Sequence, residues 1–250
     1  MAEVITDILA ADDDGEGAVA MLRGQDLKDT LVDGSALPAA DPDRLAGPFA
    51  HIVVDEAQEL TDAEWQMLLL RCPSRSFTIV GDRAQARDGF TESWQERLAR
   101  IGLDRAEVAS LSVNYRTPEE VMAEAEPAIR AALPDANVPT SVRRSGVPVT
   151  HGTVDELDGV LAAWLDTHPE GTACVIGDAA FAAEFAASCR EEFRATPRIR
   201  ALTPRLAKGL EFDLVVLVDP AGFGEGVGGA VDRYVAMTRA TRQLVVLTGA

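Results

Sequence analysis

Short apolar runs alternate with helical patterns from about residue 47 to the end of the chain. The runs at Ile52–Val54 and 214–218 are continuous and rich in β-branched residues, as in strands of a parallel sheet that is buried on both faces. After the first run, Thr61 and Glu64 form a capping-box pattern that predicts a helix ending near Arg71. This alternation predicts an α/β fold with a mostly parallel sheet.

The same reasoning places the other elements. Further strands are predicted at 77–80, 108–113, 148–151, Ala173–Ile176, Ile199–Leu202 and 244–247. Further helices are predicted from Thr91 through Leu98, from Thr117 to Leu133, and over 154–166 and 179–193. The glycine-rich stretch 222–229 is predicted to be a flexible loop, since it lacks the basic residue of a phosphate-binding loop.

These elements divide the chain into three predicted parts. Residues 1–46 contain an acidic run at 12–16 and several Gly and Pro residues, which predicts an irregular segment. Residues 47–110 are predicted to form part of a first α/β unit, and residues 111–250 a second one.

Acidic residues outnumber basic ones by 41 to 23, which gives a formal charge of −18. Nucleic-acid affinity depends largely on Lys and Arg that neutralise phosphates, so this balance favours a protein partner over a chain that grips DNA alone. No apolar run approaches the roughly 18 residues of a membrane-spanning helix. Three widely spaced cysteines fit no metal-binding pattern, so we expect buried thiols, a cytoplasmic setting and no membrane contact.

Two carboxylates, Asp55 and Glu56, directly follow the first predicted strand. Open α/β sheets bind ligands at the carboxyl ends of their strands, and adjacent acids there are costly unless a cation uses them. In nucleotide hydrolases the first acid holds Mg²⁺ and the second orients and deprotonates the attacking water. A solvated turn is the alternative. The chain contains no G-x-x-x-x-G-K-[ST] loop to hold phosphates.

Polar residues also follow the next two predicted strands. Asp82 and Gln85 would face the same edge as the first pair of acids if the two strands are neighbours, and an amide there can orient water. Arg116 offers a bidentate fork for phosphate oxygens, with a surface salt bridge as the alternative. Tyr115 offers a flat face for a base, with a half-buried core ring as the alternative.

Two segments near the end of the chain add further charged groups. Residues 202–213 place basic and acidic side chains in a tight turn before the run 214–218. Residues 234–242 are predicted to end a helix with Arg239 and Arg242 three positions apart on one face. Separate arginines suit charge stabilisation of a phosphoryl transition state from across a cleft.

Together these segments resemble motifs II to VI of the UvrD/Rep-like superfamily 1 helicases, in the same order. They are Asp55-Glu56-Ala57-Gln58, Gly81-Asp82 with Gln85, Asn114-Tyr115-Arg116, Lys208-Gly209-Leu210-Glu211-Phe212, and Tyr234-Val235-Ala236 with Thr238-Arg239-Ala240. The resemblance implies RecA-like domains, with residues 47–110 as the C-terminal part of the first and 111–250 as the second. It also implies an ATPase that uses ATP and Mg²⁺.

The resemblance assigns a role to individual residues. The implied roles are Mg²⁺ binding for Asp55, general base for Glu56, γ-phosphate sensing for Gln58 and Gln85, adenine stacking for Tyr115, arginine fingers for Arg116 and Arg239, ribose contact for Glu211, and nucleotide contacts for Asp82, Lys208 and Gly209.

Residues 71–76, 114–120 and 202–213 are most similar to the HelD-like RNA polymerase-recycling ATPases, including the actinobacterial HelR type. That resemblance implies RNA polymerase as the partner. Related DNA helicases have an aromatic-containing stretch that stacks on single-stranded bases, and residues 86–90 depart from that stretch. Arg205 stands where motif V of the family usually has a histidine. A DNA helicase or translocase in repair and a non-catalytic polymerase-binding module are the alternatives. The missing G-x-x-x-x-G-K-[ST] loop is motif I of these helicases. We therefore expect the chain to be the C-terminal part of a longer motor and to be inactive alone.

Overall fold

A computed structural model describes residues 47–87, 90, 92–189 and 191–249. The predicted irregular segment 1–46 and the predicted helix start at Thr91 lie outside the described residues. Parallel sheets and the helices that pack against them make up the part of the chain that is described.

Strands and helices alternate along most of the chain. The strands are β1 Ile52–Val54, β2 Phe77–Ile79, β3 Val113–Asn114, β4 Thr140–Ser141, β5 Thr150–Thr153, β6 Ala173–Ile176, β7 Ile199–Leu202, β8 Phe212–Val218 and β9 Ala240–Thr248. The helices are α1 Asp62–Arg71, α2 Trp94–Arg100, α3 Glu119–Ala132, α4 Leu157–Thr167, α5 Ala179–Ser188, α6 Glu191–Ala195, α7 Pro204–Ala207 and α8 Gly226–Met237. Short 3₁₀ turns occur at Ala57–Glu59, Arg83–Gln85, Val154–Glu156 and Pro220–Phe223.

The largest sheet has five parallel strands in the order β5-β9-β8-β6-β7. Two smaller parallel sheets consist of β1 with β2 and of β3 with β4. The predicted α/β class with a mostly parallel sheet is therefore confirmed. With helices on both faces, the five-stranded sheet is consistent with a RecA-like domain.

The central strand β8 explains why its sequence is apolar without interruption. Val215 and Leu217 face a core that contains side chains of α3 and α8, and Leu214 and Val216 face a second core with α4. Both faces of the strand are covered, so no alternation of polar residues is needed from 214 to 218. A third, smaller core around Trp65 packs α1 against β1 and β2.

The predicted strand 108–113 is largely wrong. Only Val113–Asn114 is a strand, because its partner β4 is two residues long and pairs with nothing further upstream. Leu111, just before it, is 79% exposed. The next predicted helix is present as α3, but Thr117 does not cap it; the Thr117 hydroxyl instead donates to the Thr238 carbonyl oxygen.

Three further boundaries differ from the prediction. The helix predicted over 179–193 is interrupted at Cys189, whose backbone is extended. The predicted loop 222–229 is partly helical, since α8 begins at Gly226. The same helix ends at Met237, so Arg239 lies in the turn before β9 and Arg242 lies within β9. The prediction that these two arginines share a helix face is wrong, because the chain has already changed to a strand at Ala240.

Two of the three thiols are buried as predicted. Cys72 and Cys174 are buried, whereas Cys189 is only partly so. Burial raises the pKa of Cys174 to about 12, which keeps that thiol protonated and unreactive at neutral pH. No helix among the described residues is long and apolar enough to cross a membrane.

Candidate functional site

Apart from Tyr115 and Arg116, which follow β3, most of the predicted site residues come from opposite edges of two parallel sheets. Asp55 and Glu56 follow β1 and Asp82 follows β2, at the carboxyl ends of the small sheet. The segment 208–211 and Arg239 precede β8 and β9, at the amino ends of the five-stranded sheet. In the small sheet the predicted residues lie at the carboxyl ends of the strands, where open α/β sheets generally bind ligands. The five-stranded sheet contributes its other edge.

Glu56 occupies an unusual backbone conformation at the end of β1. Its φ of 51° and ψ of 37° lie in the left-handed region, which is uncommon outside glycine and is often found at functional sites. Its N–H donates to Asp55 Oδ1 at 2.8 Å. The following turn is tied to β2, since the Ala57 N–H donates to the Val80 carbonyl oxygen at 3.0 Å. The chain therefore turns sharply and leaves both acids exposed at the edge.

Gln58 joins the ends of β1 and β2. The residue is 6% exposed, its Nε2 donates to Glu56 Oε2 at 2.6 Å, and its Oε1 accepts the Asp82 N–H at 3.0 Å. Gly81 leaves room for this arrangement, because a Cβ there would lie 2.9 Å from Gln58 Oε1 and 2.6 Å from the Trp94 ring. Gln58 therefore orients Glu56 and is itself fixed at both polar ends.

Gln85 connects this edge to the five-stranded sheet. Its Nε2 donates to Asp82 Oδ2 at 2.9 Å, and its Oε1 accepts from Arg239 Nη2 at 3.3 Å. Arg239 is 3% exposed, and its Nε donates to the Val235 carbonyl oxygen at 3.0 Å. Burial lowers the pKa of Arg239, and nearby Arg116 lowers it further. Arginine nevertheless stays charged in proteins, so a buried cation faces Gln85.

Lys208 makes the second connection across the cleft, which is the junction between the carboxyl edge of the small sheet and the amino edge of the five-stranded sheet. Its Nζ lies 2.6 Å from Glu59 Oε1 and 3.3 Å from Glu56 Oε2, and it donates to the Gln85 carbonyl oxygen at 3.1 Å. All three acceptors belong to the small-sheet side. The next residue, Gly209, has a φ of +75°, in the left-handed region that favours glycine.

Arg116 and Glu211 form an ion pair, with Arg116 Nε 2.7 Å from Glu211 Oε1. The Asn114 side chain fixes the turn, since its Oδ1 accepts the Arg116 N–H at 2.8 Å. The salt bridge that was the alternative for Arg116 is therefore present. Tyr115 is 75% exposed, so the half-buried ring that was its alternative is not found.

These residues fit a magnesium nucleotide in part. Mg²⁺ is usually held by one or two carboxylates together with phosphate oxygens, and exposed Asp55 fits that role. The described residues contain no group of three or more His, Cys, Asp or Glu that could hold a metal ion without such help. Lys208 and Arg116 suit phosphate oxygens, but both are paired with carboxylates. A phosphate would have to replace Glu59 and Glu211.

The structure adds contacts that the sequence did not indicate. Arg83 Nη1 lies 2.9 Å from Asp135 Oδ2, and Arg87 Nε lies 3.0 Å from Asp232 Oδ2. Such pairs are far apart in sequence and leave no local pattern. The carboxylate of Glu59, directly after Gln58 in the sequence, is a further site residue that the motif pattern does not include. A cavity of about 90 Å³ lies at this junction and is lined by Glu59, Gln85, Arg87, Pro204, Arg205, Lys208, Val231, Asp232 and Val235.

No protein-family model and no curated protein matches the chain. Similar solved structures include the C-terminal domain of a possible DNA helicase from Lactobacillus plantarum WCFS1, with 19% identity, a TM-score of 0.42, and coverage of 54% of this chain and 88% of that one. The PRRSV helicase has 19% identity and a TM-score of 0.42, covering 78% of this chain and 34% of its own. An arterivirus nonstructural protein 10 (helicase) in complex with DNA has 18% identity and a TM-score of 0.39, covering 79% and 39%. The chain thus spans little more than a third of these two viral chains.

The bridge made by Gln58 predicts a loss of stability on its removal. Gln58→Leu leaves the partly buried Asp82 N–H without its acceptor, which is expected to lower the free energy of unfolding by about 1–3 kcal/mol. Gln66→Leu, on the exposed face of α1, is the matched control and should change it by less than about 0.5 kcal/mol. Urea unfolding followed by circular dichroism measures both. Equal stability of the two variants would contradict the bridge.

The environment of Asp82 predicts an abnormal titration. Burial raises the pKa of Asp82 above its ordinary 3.8, although the hydrogen bond from Gln85 opposes the shift. Since the folded value exceeds the unfolded one, the stability that Asp82 contributes is fully present below the unfolded pKa and is lost as pH rises through the folded value. Exposed Asp135 should titrate below 3.8, because Arg83 lowers its pKa. Carboxyl ¹³C NMR can compare the two midpoints, and the opposite order would overturn this account.

Proposed function

We propose that this chain forms part of the ATP site of a helicase-like motor. The observation that carries the proposal is an unbroken path of hydrogen bonds from Glu56 through Gln58, Asp82 and Gln85 to Arg239. The path joins the residue suited to activate water with a buried cation suited to stabilise a phosphoryl transition state. These two roles are the protein's main contributions to nucleotide hydrolysis.

Each residue has a part in this chemistry. Asp55 would hold Mg²⁺, which neutralises charge on the phosphates when bound. Glu56, oriented by Gln58, would position a water and accept its proton. The guanidinium of Arg116 would bind phosphate oxygens after leaving Glu211, and Arg239 would act from its buried position beside Gln85. Exposed Tyr115 would stack on the base.

The same contacts suit the coupling of hydrolysis to movement. Gln85 touches both sides of the cleft through Asp82 and Arg239, so a change in phosphate occupancy beside it would alter the contact between the two sheets. In the described residues no strand pairing crosses the cleft. The two sides meet instead through side-chain contacts, among them Ala84 buried in the core with α3 and α8, and a shift between the sides would have to change these contacts.

We further propose RNA polymerase, and not single-stranded DNA, as the macromolecule on which the motor acts. Phe90, the aromatic residue of the stretch after Gln85, is 3% exposed and packs edge-on against Trp94. Arg97 also lies over its ring, at 4.8 Å. A ring buried in this way is not available to stack on a base. The formal charge of −18 also favours a protein partner.

Replacement of the proposed general base tests the enzymatic part of the proposal. In the natural protein at its full length, Glu56→Gln should lower kcat for ATP hydrolysis by about 10²–10⁴-fold, because the water loses its proton acceptor. Glu107→Gln, at an exposed position that is not among the candidate site residues, is the matched control. Wild-type turnover in the Glu56→Gln variant would contradict the assignment of Glu56 as the general base.

The 250-residue chain alone should show only background hydrolysis, since it lacks a G-x-x-x-x-G-K-[ST] loop.

A comparison of activators tests the proposed partner. We expect core RNA polymerase to stimulate the ATPase of the full-length protein and to co-purify with it, whereas single-stranded DNA should leave the rate unchanged. Stimulation by single-stranded DNA alone would favour a repair helicase or translocase instead. Co-purification with polymerase but no ATPase under any condition would favour a non-catalytic polymerase-binding module.

A further inference from the structure

Oxygens from the opposite side of the cleft engage all the N–H donors of the Lys208 ammonium. It has three N–H donors, and three oxygens lie within reach: Glu59 Oε1 at 2.6 Å, the Gln85 carbonyl oxygen at 3.1 Å and Glu56 Oε2 at 3.3 Å. Lys208 cannot bind a phosphate from this position without giving up at least one of them.

Glu59 is the nearest of the three acceptors and the one without an assigned role. It ends the 3₁₀ turn Ala57–Glu59 that follows Glu56, so both acids approach Lys208 from the same short segment. Glu56 is also held by Gln58, whereas the Glu59 carboxylate pairs with Lys208. The position of the ammonium therefore depends most directly on Glu59.

A lysine suits a contact that has to be exchanged. Lys28 and Lys208 are the two lysines of the sequence, and the other basic residues are arginines. An ammonium is a compact charge on a flexible stem, so it can move between carboxylate and phosphate oxygens without the fixed geometry of a guanidinium fork. The local chemistry at residue 208 thus permits two positions of the same charge.

We propose that Glu59 is a positioning residue. In the absence of nucleotide, it holds the Lys208 ammonium beside Glu56 and away from phosphate oxygens. This inference rests on the proposed ATP site, because the competitor for Lys208 is the phosphate chain of a nucleotide. A polyphosphate carries more negative charge than one carboxylate and attracts the ammonium more strongly. Glu59 then weakens nucleotide binding, since its contact with Lys208 is lost when phosphate enters.

Chemical labelling of Lys208 tests the positioning without any nucleotide. An amine held by three acceptors has to leave them before an N-hydroxysuccinimide ester can reach it. In the 250-residue chain, Glu59→Gln should raise the acetylation rate of Lys208 by roughly 1.5-fold to fivefold, the range expected for one partly exposed ion pair. Lys28 provides the internal reference, and Glu107→Gln is the matched control. An unchanged Lys208 rate would overturn the proposal.

Affinity for a fluorescent ATP analogue tests the competition. In the full-length protein, Glu59→Gln should bind N-methylanthraniloyl-ATP roughly 1.5-fold to fivefold more tightly than the wild type, and less so at high salt. The gain should vanish in a Lys208→Ala background, as in a double-mutant cycle. Equal affinities of wild type and Glu59→Gln would overturn the competition. Absence of binding in every variant, with faster labelling in Glu59→Gln, would contradict the proposed ATP site but support the role of Glu59.

Discussion

Gln85 is the residue on which the geometry of the cleft depends. Its side chain lies between Asp82 and Arg239, and its carbonyl oxygen accepts a hydrogen bond from Lys208. Arg239 and Lys208 therefore both contact one short 3₁₀ turn, Arg83–Gln85. Lys208 also pairs directly with Glu56 and Glu59. The arrangement is well supported on either side, because Gln58 fixes the turn to β1 and the Val235 carbonyl oxygen fixes Arg239.

The basic residues of the cleft illustrate how a strongly acidic chain holds local positive charge. Lys208 and Arg116 are paired with carboxylates, and Arg239 is buried against amide and carbonyl oxygens. Partly exposed pairs of this kind contribute little stability and exchange readily. The positive charge is therefore held in place by neighbouring oxygens, and a stronger anion would compete with the carboxylates for Lys208 and Arg116.

Much of the fold follows from local sequence. The runs Ala173–Ile176 and Ile199–Leu202 form strands over the predicted residues, because each is apolar or alternating and pairs along its whole length. The strand predicted at 108–113 failed because pairing depends on a partner that the local sequence does not reveal. The helix predicted to extend beyond Met237 failed for a related reason, since residues from Ala240 pair with β8.

The candidate site could be predicted less completely. Motif spacing indicated which residues belong together, and Glu56, Gln85, Lys208 and Arg239 do meet. The spacing did not indicate that Gln58 would have both polar ends engaged within the small-sheet side. Nor did it indicate Glu59, whose importance depends on the position of a lysine that lies far away in the sequence.

The opposed edges of the two sheets give the cleft a simple mechanical property. Between these edges the described residues are joined by side-chain contacts, and hydrogen bonds weaken steeply once donor and acceptor separate beyond about 3.5 Å. A displacement of about one ångström would disconnect them while every strand pairing remains intact. Small displacements of the two edges would therefore break and re-form these contacts without unfolding either sheet.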